Sequence, residues 1–286
     1  TPSFHLVHVH VLLKPLILGW VLSRALRIPL IVTEHWTGYV LGFFRTKPWW
    51  YRKTAGFLLR YASFVTTVSS SLRDAMVNSG LRHPAYRVLP NVVEVSASEP
   101  VSLGTDRKVI LTVADLVERN KNVAGVLKVV AEIYALRDDF EHHIVGDGPD
   151  AAMLKDMART LGLLDEVVFF HGRKSNEEVA GYLRACDFLV VNSHVETFSV
   201  VAAEAMACGK PVIATRCGGP EDFIGPEHGI LIDPGDLNAL KDSIIYVLDH
   251  TKDFDPVVMK SFVTAHFSME AVGRRLSELY SEAIRS

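Results

Sequence analysis

Residues 187–220 read DFLVVNSHVETFSVVAAEAMACGKPVIATRCGGP. A continuous apolar run, Phe188–Val191, gives way to polar Asn192 and Ser193. A helical stretch then covers Val200–Ala207 and stops at Gly209. A second β-branched run, Pro211–Ala214, ends in the paired Gly218 and Gly219. Strand, loop, helix and strand in about 30 residues is the pattern of a parallel β-α-β unit. Strands that are apolar at every position, rather than at alternate ones, are covered on both faces.

The same alternation extends both ways. Upstream, the spacing predicts strands at Val109–Val113, His142–Val145 and Val167–Phe170, with helices at Val123–Ala135, Ala151–Leu161 and Asn176–Ala185. Downstream come a strand at Ile230–Ile232 and helices at Leu237–Leu248 and Ser268–Ile284. The expected result is a doubly wound α/β domain of about six parallel strands. Residues 94–108, EVSASEPVSLGTDRK, have the small, polar composition of a linker. Before them lie strands at Phe4–Val11, Leu30–Thr33, Phe64–Val68 and Arg87–Leu89. Helices at Pro15–Arg27, Trp49–Tyr61 and Ser70–Asn78 separate them, the last capped by Ser69 or Ser70. Three or four strands make only the latter part of such a sheet, so an incomplete first domain is expected. The predicted division is 1–95 for that part, 96–107 for the linker, 108–266 for a complete domain and 267–286 for a closing helix.

Composition narrows the function classes. Of 286 residues 49% are hydrophobic and 22% charged, enough apolar surface for real cores and too much for a disordered chain. Three cysteines without a C-x-x-C spacing argue against a disulfide framework and a structural zinc. A net charge of −3 argues against a nucleic-acid partner. That total hides a division, however. Residues 1–95 hold 11 basic and 3 acidic residues, a net of +8, while the remainder holds 19 and 30, a net of −11. Two charge regimes imply two partners. The most apolar stretch, residues 6–32, is interrupted by Lys14, Arg24 and Arg27, so no membrane span is expected.

In doubly wound sheets, ligands lie beyond the carboxyl ends of the strands. Glu196 and Glu204 flank the helix start near Ser199. Eight helical residues would separate them by ~12 Å. An acid/base pair across a glycosidic bond needs roughly 5–10 Å, so the spacing suits two hydroxyl-bearing rings at the ends of one extended ligand. The N–H groups between would suit a diphosphate. The bare spacing fits equally a glutamate that favours a helix N-terminus and a second that is solvated. IVGDGP at 144–149, with Gly146, reads as a phosphate-approaching turn or as a plain strand-to-helix turn. Gly218 and Gly219 carry the same two readings. Arg119 and Lys121 in DLVERNKN could neutralise phosphate or simply be solvated. Glu34 and His35 follow a strand and would face a cleft; His8 and His10 share one face of theirs. No carboxylate pair has the spacing of a Mg²⁺ site.

Taken together, these residues resemble retaining nucleotide-sugar glycosyltransferases of the GT-B fold, family 4. The resemblance is strongest over residues 170–224, FHGRKSNEEVAGYLRACDFLVVNSHVETFSVVAAEAMACGKPVIATRCGGPEDFI, which include that family's E-x7-E motif at Glu196 and Glu204. TTVSSSL, VLPNVV and IVGDGP add to it. The resemblance implies two Rossmann-like domains facing a cleft and metal-independent transfer of a hexose-type sugar from a nucleotide diphosphate sugar to an acceptor hydroxyl. The donor would be a co-substrate, with no resident cofactor. By the same resemblance, Glu196 contacts the transferred sugar, Glu204 the ribose, and the backbone around Phe198, Ser199 and Val200 the diphosphate, paired with Lys121. Gly172 and Arg173 border the base, and His35 is a cleft histidine. The last helix crosses back to the first domain.

Two departures stand out. Ala114, Asp115 and Leu116 occupy the place of the family's G-R-L, so either Arg119 substitutes for its arginine or donor binding is altered. Ser199 replaces a common glycine and could act as an N-cap while offering its N–H. The family's glycine-rich loop near the chain start is absent, as truncation would explain.

The acceptor expected is a carbohydrate or lipid-linked sugar in bacterial-type surface polysaccharide or glycolipid synthesis. The basic first segment interleaves with Phe43, Phe44, Trp49, Trp50, Tyr51 and Phe57, which suits an anionic membrane surface through residues 14–60 as well as it suits core aromatics beside solvated bases. Localisation would be cytoplasmic, peripheral at the inner face of the membrane. The rival functions are a GT-B nucleotide-sugar epimerase and a non-catalytic sugar-nucleotide-binding subunit.

Overall fold

A computed structural model describes residues 4–12 and 14–285, and their contacts divide into two compact units. The chain is α/β throughout.

The first unit takes in the residues up to Val92, then Val195–Phe198, and the chain from Phe267 on. Its elements run β1 (Val7–His10), α1 (Lys14–Leu26), β2 (Leu30–Glu34), α2 (Trp49–Leu59), β3 (Phe64–Thr67), α3 (Ser70–Asn78) and β4 (Tyr86–Val88). All four strands are parallel, in the order β1-β2-β3-β4, with Val9 opposite Val32 and Val32 opposite Val65. β2 and β3 are buried at every position, as their unbroken apolar and threonine runs require. Ser69, in extended backbone, accepts from Leu72 N–H and starts α3. The final helix, α11 (Met269–Arg285), belongs to this unit: Leu279 and Ala283 share a core with Ile31 and Phe64, and Tyr280 Oη lies 2.8 Å from His8 Nδ1.

The second unit covers Val93–His194 and Ser199–His266. It contains β5 (Lys108–Val113), α4 (Glu118–Lys121), α5 (Val123–Tyr134), β6 (Phe140–Val145), α6 (Ala151–Thr160), β7 (Val168–Phe170) and α7 (Asn176–Ala185). Then follow β8 (Phe188–Val191), α8 (Val200–Ala207), β9 (Val212–Thr215), β10 (Gly229–Ile232), α9 (Leu237–His250) and α10 (Pro256–Phe267). Its six strands are parallel in the order β10-β9-β8-β5-β6-β7. From β5 the chain winds outward through β6 and β7, returns to the other side of β5 as β8, and winds outward again. The order therefore reverses between β5 and β8.

Three details differ from the sequence expectation. β6 begins at Phe140, two residues before the expected His142, because Glu141 is buried in the strand beside His142 and His143 although its polarity obscures a strand in a hydrophobicity reading. α10 was not expected, although Met259, Val263 and Phe267 recur every fourth residue and are all buried. The polar segment before β5 is pinned to α7: Val101 N–H donates to Gly181 O, Arg184 Nη1 donates to Ser98 Oγ, and a Cβ on Gly181 would lie 2.9 Å from Val101 Cγ1. No helix among the described residues is long and apolar enough to cross a membrane.

Candidate functional site

A strand-order reversal opens a crevice at the carboxyl ends of the two diverging strands, because the loops leaving them turn to opposite faces of the sheet. In the second unit those are the β5–α5 and β8–α8 loops. They are tied together. Asn192 Nδ2 donates to Asn122 O at 3.0 Å, and His194 N–H donates to Asn120 O at 2.7 Å. Thr215 at the end of β9 hydrogen-bonds the Ser193 carbonyl, which adds a third strand end to the cluster.

The loop expected at 115–122 contains the single helical turn α4, closed by Asn122 in left-handed backbone (φ 48°). Exposed Arg119 and half-buried Lys121 therefore sit on a braced turn beside the β8–α8 loop. Glu118 does not face a ligand. Its carboxylate accepts from Val123 N–H at 2.9 Å and Ala124 N–H at 3.1 Å, capping α5. Burial raises its pKa, and those two N–H donors work against the rise.

At α8 the opposite holds. Ser199 occupies the N-cap position with φ 70° and ψ 73°, whereas a side-chain cap needs extended backbone. Contrary to the N-cap expectation, its hydroxyl makes no cap hydrogen bond. The residue is 6% exposed, and among the described residues nothing partners its Oγ. The first intrahelical bond runs from Ala203 N–H to Ser199 O at 3.4 Å, so the N–H groups of Val200, Val201 and Ala202 precede it. Left-handed backbone at a non-glycine residue costs about 1–2 kcal/mol, and an unsatisfied buried hydroxyl about 1–3 kcal/mol. One turn on, Glu204 is half-buried, and burial raises its carboxyl pKa.

Phe198 is buried and packs edge-on against Phe267, with ring centroids 5.2 Å apart, inside the first unit. Half-buried Glu196 groups with it by contact. The glycines have separate explanations. Gly146 has φ 141°, and a Cβ there would collide with the Ala114 carbonyl; one on Gly148 would lie 2.5 Å from Leu116 O. Both let the β6–α6 turn lie against the β5–α5 loop. Gly172 (φ 67°) has open space around it, and Gly218 (φ 120°) donates its N–H to Glu221 Oε1 while Gly219 is buried. Arg173 lies 3.9 Å from Asp115, both largely exposed, so the acid at the position of the family arginine faces a base.

In the first unit, the carboxyl ends of β1 and β2 gather His8, His10 and His35. His8 and His10 rings lie 4.5 Å apart, and His10 stacks on His35 at 5.6 Å. His8 also contacts Thr33 Oγ1 at 2.6 Å, and burial holds its pKa down to about 4. Burial and neighbouring His10 lower that of His35 too. Glu34 is fully buried. Its carboxylate accepts from the N–H groups of Leu12, His35 and Trp36 and from Tyr39 Oη, all at 2.9–3.1 Å. It organises the loop that presents His35. Sequence reading missed a second histidine group, in which His143 joins Glu141 Oε2 at 3.0 Å to His171 Nε2 at 2.8 Å, beside Gly172. Among the described residues, no group of three or more His, Cys, Asp or Glu side chains could hold a metal ion.

Known proteins resemble this chain in sequence and in fold. Residues 96–255 match the family described as glycosyl transferases group 1, and residues 1–92 match a glycosyl transferase 4-like domain. An uncharacterized glycosyltransferase of Methanocaldococcus jannaschii is 40% identical over 41% of this chain, which spans 34% of that relative. A D-inositol 3-phosphate glycosyltransferase of Corynebacterium glutamicum is 29% identical over 99% of this chain and 73% of its own length. A crystal structure of Anabaena HepE in complex with UDP superposes with a TM-score of 0.82 at 21% identity, over 96% of this chain and 79% of that one. Two parallel sheets in this order and the family match over most of the second unit make the chain a GT-B glycosyltransferase, a member of the glycosyl transferases group 1.

Proposed function

We propose that the chain transfers a hexose-type sugar from a nucleoside diphosphate sugar to an acceptor hydroxyl, with the anomeric configuration retained. The observation that carries this reading is the start of α8, left uncapped beside a strand-order reversal, with Lys121 and Arg119 on the adjoining turn. Three leading N–H groups and two cations form a place where negative charge is stabilised. The fold relative from Anabaena holds UDP.

In this reading Glu204 accepts hydrogen bonds from the ribose hydroxyls and Glu196 from those of the transferred sugar. The backbone at Phe198, Ser199 and Val200 lies along the diphosphate, with Gly218 and Gly219 allowing close approach. Gly172 and Arg173 border the base, and Gly146 holds the adjoining turn. His35 is assigned to the acceptor. The bond from the anomeric carbon to the diphosphate oxygen breaks, and the acceptor oxygen bonds to the same face of that carbon. The departing phosphate oxygen takes the acceptor's proton. Rate enhancement comes from positioning and from stabilising charge on the leaving group, with Lys121 and Arg119 in the role a divalent metal has elsewhere.

The acceptor is assigned to surface polysaccharide or glycolipid synthesis at the inner face of a cell membrane. The support is in α1 and α2, where Trp49 is 71% and Trp50 58% exposed beside Arg52 and Lys53, with Leu18 and Val21 exposed on α1. Phe44, by contrast, is a core residue. Sedimentation with vesicles of anionic lipid, and none with neutral lipid, is expected; sedimentation that anionic lipid leaves unchanged removes the membrane assignment.

The central test is thermal unfolding with UDP-, GDP- and ADP-sugars. One series should stabilise the parent by about 2.7 kcal/mol at a hundredfold excess over Kd, and Glu204→Ala should lose most of that. Equal stabilisation of both proteins refutes the ribose assignment; product containing an epimerised sugar and no acceptor refutes transfer.

A further inference from the structure

We infer that the Ser199 hydroxyl is a ligand of the donor's diphosphate, donating to a phosphate oxygen alongside the leading N–H groups of α8; this rests on the nucleoside diphosphate reading above. Ser199 carries two burdens that a glycine would not: left-handed backbone and a buried hydroxyl without a partner. Neither serves the helix. Ser69 and Ser175, at the same position of α3 and α7, have extended backbone and accept from Leu72 and Glu178 N–H, and Asp236 accepts from Ala239 N–H at the start of α9. At α8 the left-handed conformation denies the hydroxyl that role. It also stays out of reach of the carbonyls and side chains around it.

A hydroxyl with no use in the ligand-free chain is satisfied by an acceptor that arrives from outside. The surroundings specify that acceptor as an anion. The N–H groups of Val200, Val201 and Ala202 and the positive end of the α8 dipole lie in the same turn, and the loop before it is bonded to the turn bearing Arg119 and Lys121. Because the hydroxyl is shielded from solvent in the free chain, its engagement requires the side chain to rotate as the phosphate arrives. Ser199 is thus a specificity residue for the diphosphate, absent wherever this position is glycine.

The test uses the full chain as parent, Ser199→Ala and Ser199→Gly. Without ligand, both variants should melt at or above the parent temperature, Ser199→Gly highest. In calorimetry with UDP, GDP and ADP, the diphosphate that binds the parent should bind both variants about tenfold more weakly, the share expected of one hydrogen bond to a charged group. The matching nucleoside, followed by saturation-transfer NMR, should bind all three proteins alike. Equal diphosphate affinity in parent and variants overturns the inference and leaves the function standing. A matching loss for the nucleoside also overturns it, because the effect is then structural. If none of the three diphosphates binds the parent, both the inference and the reading beneath it fall.

Discussion

Each unit ends its parallel strands in a cluster of polar groups, and the two clusters are put to opposite uses. In the first, Glu34 is fully buried and satisfied by three N–H groups and a phenol, so its charge is consumed in shaping the loop before α2. In the second, Glu118 is consumed in the same way at α5, but the start of α8 keeps its N–H groups and an unpartnered hydroxyl. The sheets explain part of this. The described strands of the first wind in one direction, while the second reverses between β5 and β8. A reversal turns two loops to opposite faces of the sheet, and here the start of α8 stays uncapped although Asn192 and His194 tie the two loops together. Polar residues at strand ends therefore mark a binding place only where the fold leaves them unsatisfied.

All four tryptophans lie before residue 51, so tryptophan emission follows the first unit alone while far-ultraviolet circular dichroism follows both. That lets the two clusters be broken separately. Gly146→Ala places a Cβ into the Ala114 carbonyl at positive φ, and should cost about 4 kcal/mol in urea unfolding read by circular dichroism. Its tryptophan midpoint should be unchanged. Glu34→Ala should do the reverse, lowering the tryptophan midpoint by about 3 kcal/mol as four buried donors lose their acceptor. A Glu34→Ala protein as stable as the parent would mean the carboxylate is available for chemistry after all.

Glu118→Ala should cost about 1 kcal/mol through loss of the α5 cap, and Ser199→Ala nothing. A comparable loss in both would erase the distinction between a capped and an open helix start. Acid acts on both units through their histidines. His8 (about 4), His142 (about 3) and His171 (about 4) are all held below the ordinary 6.5 by burial. The unfolded chain thus binds protons first, and stability should fall as pH drops from 6.5 towards 4. Tryptophan emission at pH 7, 5 and 4 follows the share of the first unit, to which His8, His35 and His83 contribute and which His8→Asn should reduce.

Much of the fold was legible because it is local. The span of α8 and the bounds of α7 and β8 follow from apolar runs stopped by Gly209 or begun by the Ser175 capping box. α10 was missed despite its regular burial. The start of β6, Phe140 and Glu141, was missed because Glu141 is satisfied by His143 inside the sheet, which no hydrophobicity pattern registers. In the candidate site, residue types at strand ends were readable, but their state was not. Nothing in the sequence marks Glu34 or Glu118 as spent, and only hydrogen-bond partners reveal that each is committed to its own loop.

Periodicity and turn chemistry alone determined that the chain is built of parallel β-α-β units and which loops leave the carboxyl ends of the strands. Those signals extend over a few residues, because helix and strand repeats are set by neighbouring side chains. The tertiary structure decided which loops become neighbours, that Glu34 and Glu118 are spent internally, and that Ser199 is held in a left-handed turn with its hydroxyl unused. These depend on partners far away in the chain, such as His8 and Tyr280, 272 residues apart. A hydrogen bond carries no periodicity, so its satisfaction is visible only once the chain has folded.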